Sequence, residues 1–214
     1  MIYEAPLSQN DLRFQTITPD KLADHSYLDE NDHCFYFGEY TARASFSHSQ
    51  TNNIISNFKK SIDRKGLPEW KYKTQAIEQV ANILNGALNP ISTVLFVPVP
   101  PSKTKDHPLY DDRMIQVLKK LNHGWMDGCY RELVVQINST DASHQSDARR
   151  DVQKLIQNYR IDQNLLQPVP ETIIIIDDVL TTGCHYKAVK YHLEQAFPSA
   201  DIYGLFIARR KIEE

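Results

Sequence analysis

The stretch Thr172-Ile173-Ile174-Ile175-Ile176-Asp177-Asp178 constrains this chain more than any other. Four consecutive isoleucines leave no polar face. A strand made of them must be covered on both sides, as interior strands are in parallel sheets flanked by helices. Three further runs share the texture. They are Thr93-Val94-Leu95-Phe96-Val97, closed by Pro98-Val99-Pro100-Pro101; Leu133-Val134-Val135-Gln136-Ile137; and Asp201-Ile202-Tyr203-Gly204-Leu205-Phe206-Ile207-Ala208. Helical patterns are predicted between them, around residues 114–121, 147–159 and 186–197. The alternation predicts a doubly wound α/β domain with a mainly parallel sheet and right-handed crossovers.

The preceding third reads differently. Residues 34–46 are aromatic with a Gly38-Glu39 break, which predicts a strand pair or one bent strand. Ile54, Ile55 and Phe58 follow at helical spacing. Lys59, Lys60, Arg64 and Lys65 come next, and Gly66-Leu67-Pro68 stops the run. A second helix from Glu69 carries Ile77, Val80, Ala81 and Leu84 on one face and ends near Asn85-Gly86. The organisation expected is a small N-terminal α+β add-on over residues 1–66 and a core domain over residues 67–214. Because the chain ends just after its last strand, a hood over any site in the core would have to come from that add-on.

Composition excludes several classes. With 24 Lys+Arg against 27 Asp+Glu the net charge is −3, which supplies no global reason to coat nucleic acid or an anionic membrane. At 41% hydrophobic and 24% charged residues, disorder and low complexity fall away. Cys34, Cys129 and Cys184 lie far apart with no CxxC pair, against a disulfide framework or a structural zinc site. Asp32-His33-Cys34 has no partner pair at ligand spacing. The opening residues show no basic stretch leading into an apolar one, and no run approaches the ~18 apolar residues of a membrane span. A cytoplasmic location is the expectation. P-loop and GxGxxG patterns are missing, which removes common ATPase and dinucleotide readings.

In doubly wound sheets, ligands bind outside the carboxyl ends of strands, beside helix N-termini. The segment to examine is therefore Asp177-Asp178-Val179-Leu180-Thr181-Thr182-Gly183-Cys184-His185. Adjacent carboxylates at the end of a buried strand cost free energy unless hydroxyls, cations or amides face them. Thr-Thr-Gly leading into a helix can present successive N–H groups as an anion nest. Carboxylates for sugar hydroxyls beside a nest for phosphate suit a ribose 5-phosphate.

At these residues the sequence resembles the type I phosphoribosyltransferases, whose signature is a hydrophobic strand, two acids, a hydrophobic pair and Thr-Thr-Gly. The resemblance implies binding of phosphoribosyl pyrophosphate with Mg2+ and displacement of pyrophosphate from the anomeric carbon. It implies that Asp177 and Asp178 hold the ribose hydroxyls, and that Thr181, Thr182, Gly183, Cys184 and His185 cradle the 5-phosphate. Mg2+ would arrive with the substrate, near Asp177 and Asp178, with no direct protein site. His185 departs from the small hydroxyl residue usual there and could either donate to phosphate or crowd it.

A second match, Phe96-Val97-Pro98-Val99-Pro100-Pro101-Ser102-Lys103, resembles the Val-Pro-Val-Pro strand end of the ComF-like branch. By that resemblance Pro101, Ser102 and Lys103 form a pyrophosphate loop. The branch's Arg-Gly-Phe-Asn-Gln stretch and its N-terminal zinc cysteines are absent. Arg113 is either an anion contact or a surface charge near a helix end. Arg149 and Arg150 fall in the connection that forms a mobile closing loop in the family, as pyrophosphate contacts or solvated helix charges. Lys59, Lys60, Arg64 and Lys65 read first as a solvated helix end and second as a contact to nucleic acid or phosphate. Cys184, at a helix start, has no base identified for it.

Two functions follow. One is a Mg2+-dependent phosphoribosyltransferase acting on an unidentified base or other acceptor. The other is a non-catalytic nucleotide binder: a regulator, a DNA-uptake factor, or an effector of a bacterial anti-phage, retron-type defence system. A homo-oligomer or larger complex is compatible with both. A receiver or hydrolase domain fits poorly, because its aspartates follow an early strand.

Overall fold

A computed structural model describes residues 14–88, 94–121, 128–140 and 151–212. Its centre is a five-stranded sheet in the order β1-β2-β7-β6-β3. The interior strand is β6 (Thr172–Leu180), between β3 (Val94–Pro98) and β7 (Asp201–Lys211). On the far side of β7 lies β2 (Cys34–Thr41), and all four pair in parallel. Only β1 (Gln15–Thr16), at the edge, is antiparallel. The result is a mixed α/β fold with a mostly parallel sheet, as the apolar runs predict.

Helices cover both faces. Against one lie α4 (Val152–Asn158) and α5 (Cys184–Ala196), and Tyr186, Val189 and Leu193 of α5 join Ile173, Ile175, Tyr36 and Phe206 in one apolar cluster. Against the other lie α1 (Gln50–Phe58), α2 (Trp70–Ala87) and α3 (Arg113–Leu118). There Ile55, Phe58, Val80, Leu84 and Val117 pack with Phe96, Ile176 and Leu205. Local chemistry starts these helices. Ser49 accepts the Asn52 N–H at 3.0 Å to cap α1, and Asp151 accepts from Gln153 and Lys154 to cap α4. Among the described residues no helix is long and apolar enough to cross a membrane.

Three expectations need correction. Residues 34–46 contain one strand, β2, the second of the two alternatives, but β2 is part of the central sheet instead of a hood. Its residues are apolar on both faces, with Cys34 and Tyr36 in one cluster and Phe35 and Phe37 against the other, so it fits a doubly covered position. The sheet therefore crosses the boundary drawn at residue 66. Gly38 lets α1 sit close: a Cβ there would lie 2.3 Å from Thr51 Oγ1.

The second core strand also differs. Among the described residues, only a parallel bridge between Phe96 and Tyr130 extends the sheet beyond β3. The chain then leaves as β4 (Val134–Gln136) to pair antiparallel with β5 (Tyr159–Ile161). Asn158 closes this ribbon by donating to the Asn138 carbonyl and accepting its N–H, both at 2.9 Å. Finally, β6 outruns its isoleucines to Leu180, so both aspartates lie inside the strand, where Asp177 pairs in register with Phe206.

Candidate functional site

Residues 129–131 hydrogen-bond to β3 along one side, while β6 lies on the other. This reversal opens a crevice at the carboxyl ends of β3 and β6, the place where open α/β sheets bind ligands. A cavity of about 490 Å³ fills it.

One wall is the loop after β3. Pro98, Pro100 and Pro101 stiffen it, and two anchors hold it. The Val99 N–H donates to the Ile176 carbonyl at 3.0 Å. The Ser102 carbonyl accepts from Gln136 Nε2 at 2.6 Å and from the Thr140 N–H at 2.8 Å. Pro101, Ser102 and Lys103 border the cavity.

The floor is the turn from β6 into α5. Gly183 caps the helix at φ +87°, a left-handed conformation that glycine adopts without strain. A Cβ would also lie 2.8 Å from Leu28 Cδ2. The N-terminal segment braces this turn. Tyr27 donates its N–H to the Thr182 carbonyl at 2.9 Å, and buried His25 donates Nδ1–H to the Thr181 carbonyl, which fixes its tautomer. Burial pushes the His25 imidazole below its ordinary pKa, so it sits there neutral. Thr181, Thr182, Cys184 and His185 line the cavity. The His185 imidazole is hydrogen-bonded to Tyr159 Oη at 2.8 Å, which ties it to β5.

Between wall and floor stand the acids. They are adjacent in a strand and point to opposite faces. Asp178 is buried and clamped. Arg113 donates Nε–H and Nη2–H to its Oδ2 at 3.1 and 2.6 Å, and Lys59 reaches its Oδ1 at 3.0 Å. Burial opposes ionisation of Asp178, but Lys59 and Arg113 outweigh it and hold the carboxyl well below the usual range. Asp177 is half-buried, accepts the Asp178 N–H at 2.8 Å and, among the described residues, pairs with no cation. Burial, then the neighbouring Asp178 charge, push its carboxyl up to about 7.

Behind Arg113 stands a second carboxylate. Arg113 Nη1–H donates to Asp111 Oδ2 at 2.6 Å, and Lys73 Nζ reaches the same oxygen at 2.7 Å. Lys73 has no solvent exposure and also donates to the Phe58 and Lys60 carbonyls at 3.0 and 2.8 Å, where α1 ends. It therefore holds both supports of Asp178: the helix end that carries Lys59 and the loop that carries Arg113.

The structure thus gathers Asp177, Asp178, Thr181, Thr182, Cys184, His185, Pro101, Ser102, Lys103 and Arg113 around one cavity, with Gly183 shaping its floor. Arg149 and Arg150 lie outside the described residues. Arg113 is not a surface charge: its side chain is 22% exposed and its guanidinium stacks over Phe58. Lys59 is no free helix end, since it borders the cavity and pairs with Asp178. Sequence reasoning missed Lys73, Asp111, Glu132, His25 and Arg210. Lys73 left a signal, a lysine four residues before Ile77 on the apolar stripe of α2. The others left none: His25 and Glu132 meet their partners only across long sequence separations, Asp111 meets Lys73 thirty-eight residues away, and Arg210 is brought to the cavity by the packing of the sheet.

Among the described residues no group of three or more His, Cys, Asp or Glu side chains is placed to hold a metal ion. No protein-family model matches the chain, and no curated protein does either.

Proposed function

We propose that this protein binds phosphoribosyl pyrophosphate and transfers its phosphoribosyl group to an acceptor, on a fold of the type I phosphoribosyltransferase kind. One observation carries the reading. The proline-stiffened Ser102-Lys103 loop and the Asp177-Asp178…Thr181-Thr182-Gly183 turn follow neighbouring parallel strands and border the same cavity. The first offers a hydroxyl and a cation to a diphosphate. The second offers a helix N-terminus and threonine hydroxyls to a phosphate, with carboxylates beside them for the ribose.

Bond cleavage between the anomeric carbon and the diphosphate oxygen leaves positive charge on the sugar. A carboxylate held at the ring, Asp177 above all, would stabilise that charge where it develops. The loops keep ribose and diphosphate aligned, which converts binding into rate. The residues present do not make a resident Mg2+ site. Both Asp178 oxygens and Asp111 Oδ2 are occupied by Lys59, Arg113 and Lys73. The ion would come on the substrate.

Two observations favour the second reading, a phosphoribosyl- or nucleotide-binding regulator or defence effector. The N-terminal third supplies a sheet edge instead of a hood, and Asp178 is already neutralised by two cations. Calorimetry with phosphoribosyl pyrophosphate and Mg2+ tests the common core. Binding should weaken at least 100-fold in the Asp177→Asn/Asp178→Asn double variant. Pyrophosphate release on addition of bases or nucleosides would select transfer, and binding without release would select the regulator. A wild type that does not bind removes both.

A further inference from the structure

Arg210 lines the cavity and has no part in holding ribose or diphosphate. Arg210 stands at the carboxyl end of β7, in register with Tyr40 of β2 and next to Arg209, the partner of Leu180. Its sequence neighbours are committed elsewhere. Arg209 pairs with Asp24 and Glu39, and Lys211 approaches Glu39. Arg210 borders the cavity instead, and there it differs from the other cations. Lys59 and Arg113 face Asp178, and Lys105 faces Glu132. Among the described residues, the Arg210 guanidinium meets no carboxylate, and its Nε is buried without a hydrogen-bond partner. A guanidinium at a cavity wall without a counter-charge has its remaining donors open to a ligand anion.

Resting on the proposed phosphoribosyl transfer, we infer that Arg210 is the recognition point of an acceptor subsite and that the acceptor is anionic. The strand order gives the direction. The diphosphate loop follows β3, the ribose carboxylates sit on β6, and Arg210 ends β7 on the opposite side of β6. In a displacement at the anomeric carbon, the acceptor's lone pair forms the new bond as the carbon–oxygen bond to diphosphate breaks. The bonding electrons leave with pyrophosphate, and the acceptor's proton passes to solvent. The acceptor must therefore approach from the face away from the leaving group, which is the β7 side. A guanidinium there offers a planar fork to a carboxylate or phosphate.

The test is a set of titrations on wild type, Arg210→Gln and Arg210→Lys, with thermal melts as the folding control. Phosphoribosyl pyrophosphate with Mg2+ is titrated first. Matched probes follow in its presence: pyridine-3-carboxylate against pyridine-3-carboxamide, and phenyl phosphate against phenol. The wild type should prefer at least one anionic member ten-fold or more over its neutral partner. Arg210→Gln should bring the two within two-fold while changing the phosphoribosyl pyrophosphate affinity by less than two-fold, and Arg210→Lys should keep part of the preference. A wild type with no preference for either anion overturns the inference and leaves the phosphoribosyl reading standing. A ten-fold loss of phosphoribosyl pyrophosphate binding in Arg210→Gln also overturns it, by assigning Arg210 to the 5-phosphate. No binding of phosphoribosyl pyrophosphate by the wild type removes the underlying reading, and the acceptor subsite with it.

Discussion

Asp177 and Asp178 are the same residue type in neighbouring positions, yet their surroundings pull them apart. Two cations hold Asp178 ionised, while burial and that fixed negative charge favour the protonated form of Asp177. An acid whose folded pKa lies above its unfolded value loses stability as pH rises from the unfolded pKa, near 4, towards the folded one, about 7. Neutral Asp177→Asn should therefore stabilise the protein at pH 7.5 by about 1 kcal/mol or more, a Tm gain of roughly 2–4 °C, while weakening ligand binding. Differential scanning calorimetry at pH 7.5 checks it, and a lower Tm would show that the site does not hold Asp177 against its charge. His25 runs the other way. Its folded pKa is depressed, chiefly by burial and further by Arg209 and Arg210, against the Thr181 hydrogen bond and Asp24. Below the unfolded histidine value of about 6.5 the unfolded chain binds the extra proton, so stability falls as pH falls. The Tm advantage of wild type over His25→Gln should shrink between pH 7 and pH 5. An unchanged difference across that range would mean that His25 does not titrate as described.

At the scale of elements, the site is where α1, α2, the 99–112 loop and β6 meet, and Lys73 joins the first three. Lys73→Met keeps the length of the side chain but takes one of two cations from Asp111 and the ammonium donor from the buried Phe58 and Lys60 carbonyls. Breaking a buried pair from one side costs about 3–5 kcal/mol. Urea unfolding should show that loss with an unchanged m-value. A loss under about 1 kcal/mol would mean that Asp111 is held by Arg113 alone. The same scale separates what was readable from what was not. The isoleucine run announces β6, and the Thr-Thr-Gly turn announces the start of α5, because burial on two faces and a left-handed glycine are local demands. The departure of β4 was not readable: Leu133-Val134-Val135 suits a parallel strand or an antiparallel ribbon equally, and Asn158, twenty residues after Asn138, decides between them.

For the whole molecule, residues 14–66 are structural, because β2 covers the edge of β7 and residues 25–28 brace the α5 turn. Residues 67–214 produced alone should therefore not yield a folded monomer. They would expose the β7 edge to pairing between chains, and size-exclusion chromatography should find aggregate or insoluble protein. A monodisperse, cooperatively melting fragment would restore the boundary drawn at residue 66. By itself the sequence determined the α/β class, the interior strand, the acidic pair and the glycine turn, since each follows from the period, burial or backbone freedom of a few adjacent residues. Only the tertiary structure decided that β2 joins the sheet, that Lys59, Lys73 and Arg113 converge on Asp178 and Asp111, and that Arg210 faces the cavity. Ion pairs and strand neighbours depend on which distant segments packing brings together, and no local pattern encodes that choice.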